Sequence, residues 1–205
     1  MLIKELAAEI HQNAVEHGWW DGNMRYAEAI ALIHSEWSEA LEEARNGKPL
    51  VYRVCLEDPE EADVCNPKDK SECMMAGRET ECKYYGKKPE GIAVELIDGC
   101  IRILDYLARC GHFLTQETED KRRAGLSADR FYMQEDAVPP KDFPELISDL
   151  HAITSDAYRK GSGHLERACG MAMRWVAKQG IDPVKLMIEK HTYNKTRPYK
   201  HGKKF

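Results

Sequence analysis

No stretch of this sequence approaches the ~20 consecutive apolar residues that a helix needs to cross a bilayer. The start, MLIKELAAEI, also lacks the apolar core of a secretory leader. The expectation is a cytoplasmic protein with no membrane partner. A basic excess is missing as well: Lys and Arg number 30 against 35 Asp and Glu, for a net charge of -5. That balance argues against binding a nucleic-acid polymer, whose phosphates call for cations. Seven cysteines are present, but none form a C-x-x-C pair, and an odd number without an export signal speaks against a disulfide framework. Alternating apolar runs bounded by hairpin turns are scarce too. The β-branched and aromatic residues fall at helical spacing or singly, so the fold class should be all-α.

What is present suffices for a core, since 42% of the 205 residues are hydrophobic, and residues 1–205 read as a single domain. Helices are expected from Ile3 to His17 and from Arg25 to Arg45, closed by Gly18 and by Asn46-Gly47. A third is expected from Glu90 to Cys110, closed by Gly111. Three more should run from Pro144 to Arg159, His164 to Gln179 and Asp182 to Tyr193. Residues 51–88 look like a cysteine-rich insertion and 115–141 like a linker or mobile loop. The later helices echo the earlier ones. His34 to Ala40 can be laid on His151 to Ala157, and Glu95 to Gly111 on His164 to Gly180, which matches Cys100 with Cys169 and Gly111 with Gly180. In that alignment the second pair keeps its packing residues and loses its acids: Glu36 becomes Ile153, Glu95 becomes His164 and Asp98 becomes Arg167.

The stretch IHSEWSEALEE carries the question of function. At about 100° per residue, Ile33, Trp37, Leu41 and Ala44 form an apolar stripe, with Glu36, Glu39 and Glu43 along its edge and Glu42 pointing away. The third helix repeats the arrangement, with Ile97, Ile101, Leu104 and Ala108 inside and Glu95, Asp98, Arg102 and Asp105 on the other side. Either E-x-x-E or E-x-x-D alone is usually a solvated face, and Asp98 with Arg102 is an ordinary i,i+4 pair. Two such ridges on helices able to pack together are different, because four carboxylates brought together repel unless protonated or neutralised by a divalent cation. All-oxygen donors favour Mg²⁺ or Mn²⁺, and Mg²⁺ commonly takes its remaining ligands from water and substrate phosphates.

Three blocks in order, HSEWSEALEEAR, PEGIAVELIDGCIRILDYLA and EKHTYNKTRPYKHGKKF, resemble the MazG-like branch of the all-α nucleoside triphosphate pyrophosphohydrolases, over residues 1–48, 89–112 and 181–205. The resemblance implies a four-helix bundle, usually completed by dimerisation, and Mg²⁺-dependent cleavage of a nucleoside triphosphate to the monophosphate and pyrophosphate. Carried over by position, it implies Glu36, Glu39, Glu95 and Asp98 as the metal ligands. The 55 residues between Glu39 and Glu95 are more than the family pattern leads one to expect. The possible degenerate second helical pair leaves two assemblies open: a homo-oligomer, or a pseudo-dimeric monomer.

Phosphoryl transfer needs mainly positioning and charge neutralisation, and Glu39 is the candidate to take the proton of the attacking water. Lys190, Tyr193, Asn194 and Arg197 are candidates to hold phosphate or sugar, within a basic C-terminal segment that is otherwise a basic tail. Trp19 and Trp20 lie in a turn where one, with Trp20 the candidate, stacks on a base or else belongs to the core. Trp37 reads as packing and His34 as a hydrogen-bonded structural histidine. Cys100, Cys110 and Cys169 read as small core residues. Cys55, Cys65, Cys73 and Cys82 would hold a structural Zn²⁺, hold an iron–sulfur cluster, or remain free thiols. Two other functions compete: a non-catalytic helical module whose cysteine segment recognises a protein, and hydrolysis of a related pyrophosphate compound.

Overall fold

The computed structural model describes residues 1–22, 24–54, 88–111 and 142–199. Cys55, Cys65, Cys73 and Cys82, the 115–141 linker and the last lysines lie outside the described residues. Among those described, the chain forms α1 (Ile3–Glu16), α2 (Tyr26–Arg45), β1 (Tyr52–Val54), β2 (Lys88–Glu90), α3 (Ile92–Arg109), α4 (Phe143–Lys160), α5 (Gly163–Lys178) and α6 (Pro183–Asn194). The all-α expectation holds, with one departure. β1 and β2 pair antiparallel, Tyr52 opposite Glu90 and Val54 opposite Lys88. These strands are the two ends of the insertion, which must meet for α2 and α3 to stay adjacent. Their pattern is too short to show as a period-2 signal.

The helix starts follow the sequence closely. Asp142 Oδ1 accepts from Glu145 N at 2.8 Å, and Asp182 Oδ1 accepts from Val184 N and Lys185 N at 3.0 and 3.1 Å, with a proline in the first turn of each helix. At the start of α2, the Glu28 side chain reaches back to Arg25 N at 2.9 Å. The entry to α3 is built differently. Gly91 has φ 118°, and a Cβ there would stand 2.7 Å from Pro49 O, so only glycine lets the chain pass. Ala93 N then donates to Leu50 O at 2.9 Å, anchoring the first turn of α3 on the segment that leaves α2.

α3 is the central helix, packing against α1, α2, α5 and α6. Leu96, Ile97, Cys100, Ile103, Leu104 and Leu107 are accordingly fully buried. α2, α3, α5 and α4 form a ring in which each helix touches the next, which is a four-helix arrangement. Residues matched by the internal alignment meet across this ring. His34 and His151 stack with centroids 5.0 Å apart and Nδ1 atoms 2.7 Å apart. Trp37 Nε1 donates to Thr154 Oγ1 at 3.0 Å, and Cys100 Sγ lies 3.6 Å from Cys169 O. The α2–α3 and α4–α5 pairs therefore face one another through residues that the internal alignment matches. Cys110 differs from its expected place in the core: it caps the end of α3 and is exposed.

Candidate active site

Because α3 is covered on most sides, the acids on its remaining face cannot be an ordinary solvated edge. Glu95, Asp98, Arg102 and Asp105 line a cleft of about 200 Å³, together with Glu36 and Glu39 of α2, Glu90 of β2, and Lys190 and Arg197 at the C-terminal end. Ten residues of helix separate Glu95 from Asp105, about 15 Å. Glu36 is 5% exposed and Glu95 6%, whereas Glu39 reaches solvent. One oxygen each of Glu36, Glu39 and Glu95 lies within 4.8 Å of the others. Two helices supply the three, as the ridge spacing on α2 and α3 anticipates.

The charges do not balance. Six carboxyl groups face four cations around the cleft: Lys88, Lys190, Arg102 and Arg197. Arg102 Nε grips Glu36 Oε1, rather than forming the i,i+4 pair with Asp98. Lys190, 4% exposed, places Nζ 2.9 Å from Asp98 Oδ2 and 3.1 Å from Pro89 O. Burial works against the charge on Lys190, but Asp98, Glu95 and Glu90 carry its pKa above the ordinary value. Burial, then the charge of Asp98, pushes the Glu95 carboxyl up to about 9, and burial raises Asp98 as well. Glu95 therefore takes up a proton at neutral pH in the absence of another cation. Hard oxygen donors so close together, with negative charge left over, suit Mg²⁺ or Mn²⁺. Asp98 is outside the three-carboxylate group and is held by Lys190.

The remaining expected contacts divide. Asn194 and Arg197 line the cleft, while Tyr193 does not and instead lies under Lys190 and Arg197, each 5.9 Å from its ring centroid. Trp19 lines the cleft. Trp20, the residue expected on a base, turns its Nε1–H to Asp105 Oδ1 at 3.0 Å, with Arg109 over its ring at 5.5 Å. His11 closes this network, its Nδ1 2.6 Å from Asp105 Oδ1. Burial raises Asp105 despite those bonds, so an indole N–H is well used there. Trp37 is fully buried, as its place in the stripe implies, and His34 is bonded to His151.

Glu90, Asn13 and His191 are site-lining residues that pattern reading misses, whereas Asp105 stands on the acidic ridge that the spacing predicts. Glu90 seemed to open the third helix; the Gly91 turn instead aims it into the cleft, where it pairs with Lys88. Burial opposes its ionisation, but Lys88 and Lys190 hold its pKa below the ordinary range. No family model, curated protein or solved structure matches this chain.

Proposed function

We propose that this chain is a divalent-cation-dependent nucleoside triphosphate pyrophosphohydrolase, of the MazG-like kind that its three sequence blocks resemble. The observation that carries the proposal is the meeting of Glu36, Glu39 and Glu95, from two helices, within 4.8 Å in a cleft short of positive charge. A Mg²⁺ or Mn²⁺ ion held there by these carboxylates would neutralise triphosphate charge and acidify an attacking water. Arg197, whose guanidinium can hold two phosphate oxygens, lines the same cleft. Lys190 is committed to Asp98 and acts first as an internal counter-charge; it keeps Asp98 from adding to the repulsion among the three glutamates. Glu39, the solvent-reaching member, would accept the water proton and pass it to bulk. The new bond joins water oxygen to the α-phosphorus, the α–β bridging bond breaks, and pyrophosphate leaves with its electron pair.

The second helical pair supports a pseudo-dimeric monomer over a homo-oligomer. It covers α2 and α3 within one chain, and its positions matching Glu36, Glu95 and Asp98 are Ile153, His164 and Arg167. Asp156, which matches Glu39, is tied to Lys160 at 3.0 Å. A single cleft per chain follows. A non-catalytic module with acids as surface decoration is disfavoured by the burial of Glu36 and Glu95. Pyrophosphate release from a panel of canonical, deoxy and modified triphosphates with Mg²⁺ tests the proposal. Glu39→Gln should lower kcat at least ~100-fold, in the range of lost acid–base catalysis, with helical circular dichroism unchanged. No pyrophosphate from any member of the panel would sink it.

A further inference from the structure

The four cations around the cleft differ in how far their charge is already committed. Lys88 pairs with Glu90. Lys190 is buried, with its ammonium on Asp98 Oδ2 and Pro89 O. Arg197 stands over the ring of Tyr193 and is the phosphate contact already proposed. Arg102 is built differently. Its Nε donates to Glu36 Oε1, and that is the hydrogen bond its guanidinium makes among the described residues. Its terminal nitrogens are not among the buried atoms that lack a partner, and the side chain is 29% exposed against 6% for that of Glu36. They are therefore open to solvent at the cleft that Arg102 lines. A guanidinium held at Nε presents its remaining N–H groups as a planar fork, whose spacing suits two oxygens of a phosphate.

We infer that Arg102 is a phosphate-holding residue of the cleft, anchored at Nε by Glu36 and gripping oxygens of the phosphate chain with its terminal nitrogens. This inference rests on the nucleotide reading of the cleft and adds a second phosphate contact to it. Glu36 is also one of the three carboxylates that would hold the cation. Ion and guanidinium are thus neighbours of the same carboxylate, and one phosphate group can meet both. The charges of Asp98 and Glu39 reach the guanidinium as well, which puts it on the carboxylate side of the cleft. Counter-charge for Glu36 by itself needs only a point cation; an arginine with its fork left over supplies what a lysine does not. The anchor on α2 also fixes the α3 side chain before phosphate arrives, so less ordering is required on binding.

Calorimetry with Mn²⁺ alone, and with inorganic triphosphate added to the Mn²⁺-loaded chain, tests the inference without base or sugar. Arg102→Lys keeps a charge beside Glu36 and loses the fork. It should bind Mn²⁺ as the parent does and triphosphate at least ~10-fold more weakly, the scale of a lost bond to a charged group. In the unaltered chain, Mn²⁺ with triphosphate should shield Arg102 from phenylglyoxal, which attacks accessible guanidinium groups, and Mn²⁺ alone should not. Peptide mass spectrometry reads that difference, and this arm needs no variant to fold. Three results overturn the phosphate role: parent-like triphosphate binding in Arg102→Lys, an equal loss of Mn²⁺ and triphosphate affinity, or an Arg102 whose reaction with phenylglyoxal is the same with and without triphosphate. Pyrophosphate release from a nucleotide would then leave the hydrolase proposal standing. Triphosphate binding that depends on Arg102, with no cleavage of any nucleotide, would retain the phosphate role and overturn the hydrolase proposal.

Discussion

Glu95 concentrates the chemistry of the cleft in one side chain. Its carboxyl is 6% exposed, faces Glu36 and Glu39, and has a pKa near 9 against an ordinary 4.5. Between those values the native state holds a proton that the unfolded chain has released, so stability is greatest below 4.5 and falls as pH rises toward 9. Asp98, also raised, acts in the same direction. A divalent cation binding at the cluster would replace the proton and remove the loss. Thermal melts in EDTA should therefore show a falling midpoint from pH 5 to 9, and saturating Mg²⁺ should flatten the fall. Glu95→Gln should flatten the EDTA profile by itself. An EDTA profile that this variant leaves as steep as before would separate Glu95 from the effect.

At the scale of elements, the close approach of α2 and α3 decides whether the two acidic ridges can meet. Gly99 makes that approach possible: a methyl group there would overlap the ring of Trp37, which is fully buried and bonded to Thr154. The ring cannot yield without losing that bond or displacing α4. Gly99→Ala should cost about 1–3 kcal/mol, the usual range for overpacking a tight core, measured as a shift in urea midpoint. It should also weaken Mg²⁺ binding, because α3 must move away from Glu36 and Glu39. A variant as stable as the parent would show that the two helices have slack. The helix boundaries themselves were readable, because Asp142, Asp182 and the closing glycines act within one turn. Gly91 and the β1–β2 ribbon were not readable: their need arises from Pro49 O and from closing the insertion, both facts of tertiary packing.

For the molecule as a whole, the α4–α5 pair packs against α2 and α3 within one chain, as the proposed pseudo-dimeric monomer requires. The seam is already filled by Trp37 against Thr154, Cys100 against Cys169 and the His34–His151 stack. Sedimentation equilibrium should give the monomer mass of 23.5 kDa, and nucleotide binding should saturate at one site per chain. A stable dimer with two sites per chain would contradict both halves of this expectation. The cleft is also assembled from distant parts of the sequence. α1, α2, β2, α3 and α6 each supply lining residues, so loss of α6 should remove Lys190 and leave Asp98 without its counter-charge.

Residue order alone determined the helices, the two acidic ridges and the echo between the halves, because periodicity, caps and i,i+3 spacing are local properties that survive in a linear string. It located Glu36, Glu39 and Glu95 for the same reason. Tertiary structure alone decided that Lys190 would hold Asp98, that Arg102 would hold Glu36, that Trp19 rather than Trp20 would line the cleft, and that Glu90 would enter it. Those outcomes depend on which charges are brought together when α3 is buried, and the cost of burying an unpaired charge is set by neighbours far away in the chain.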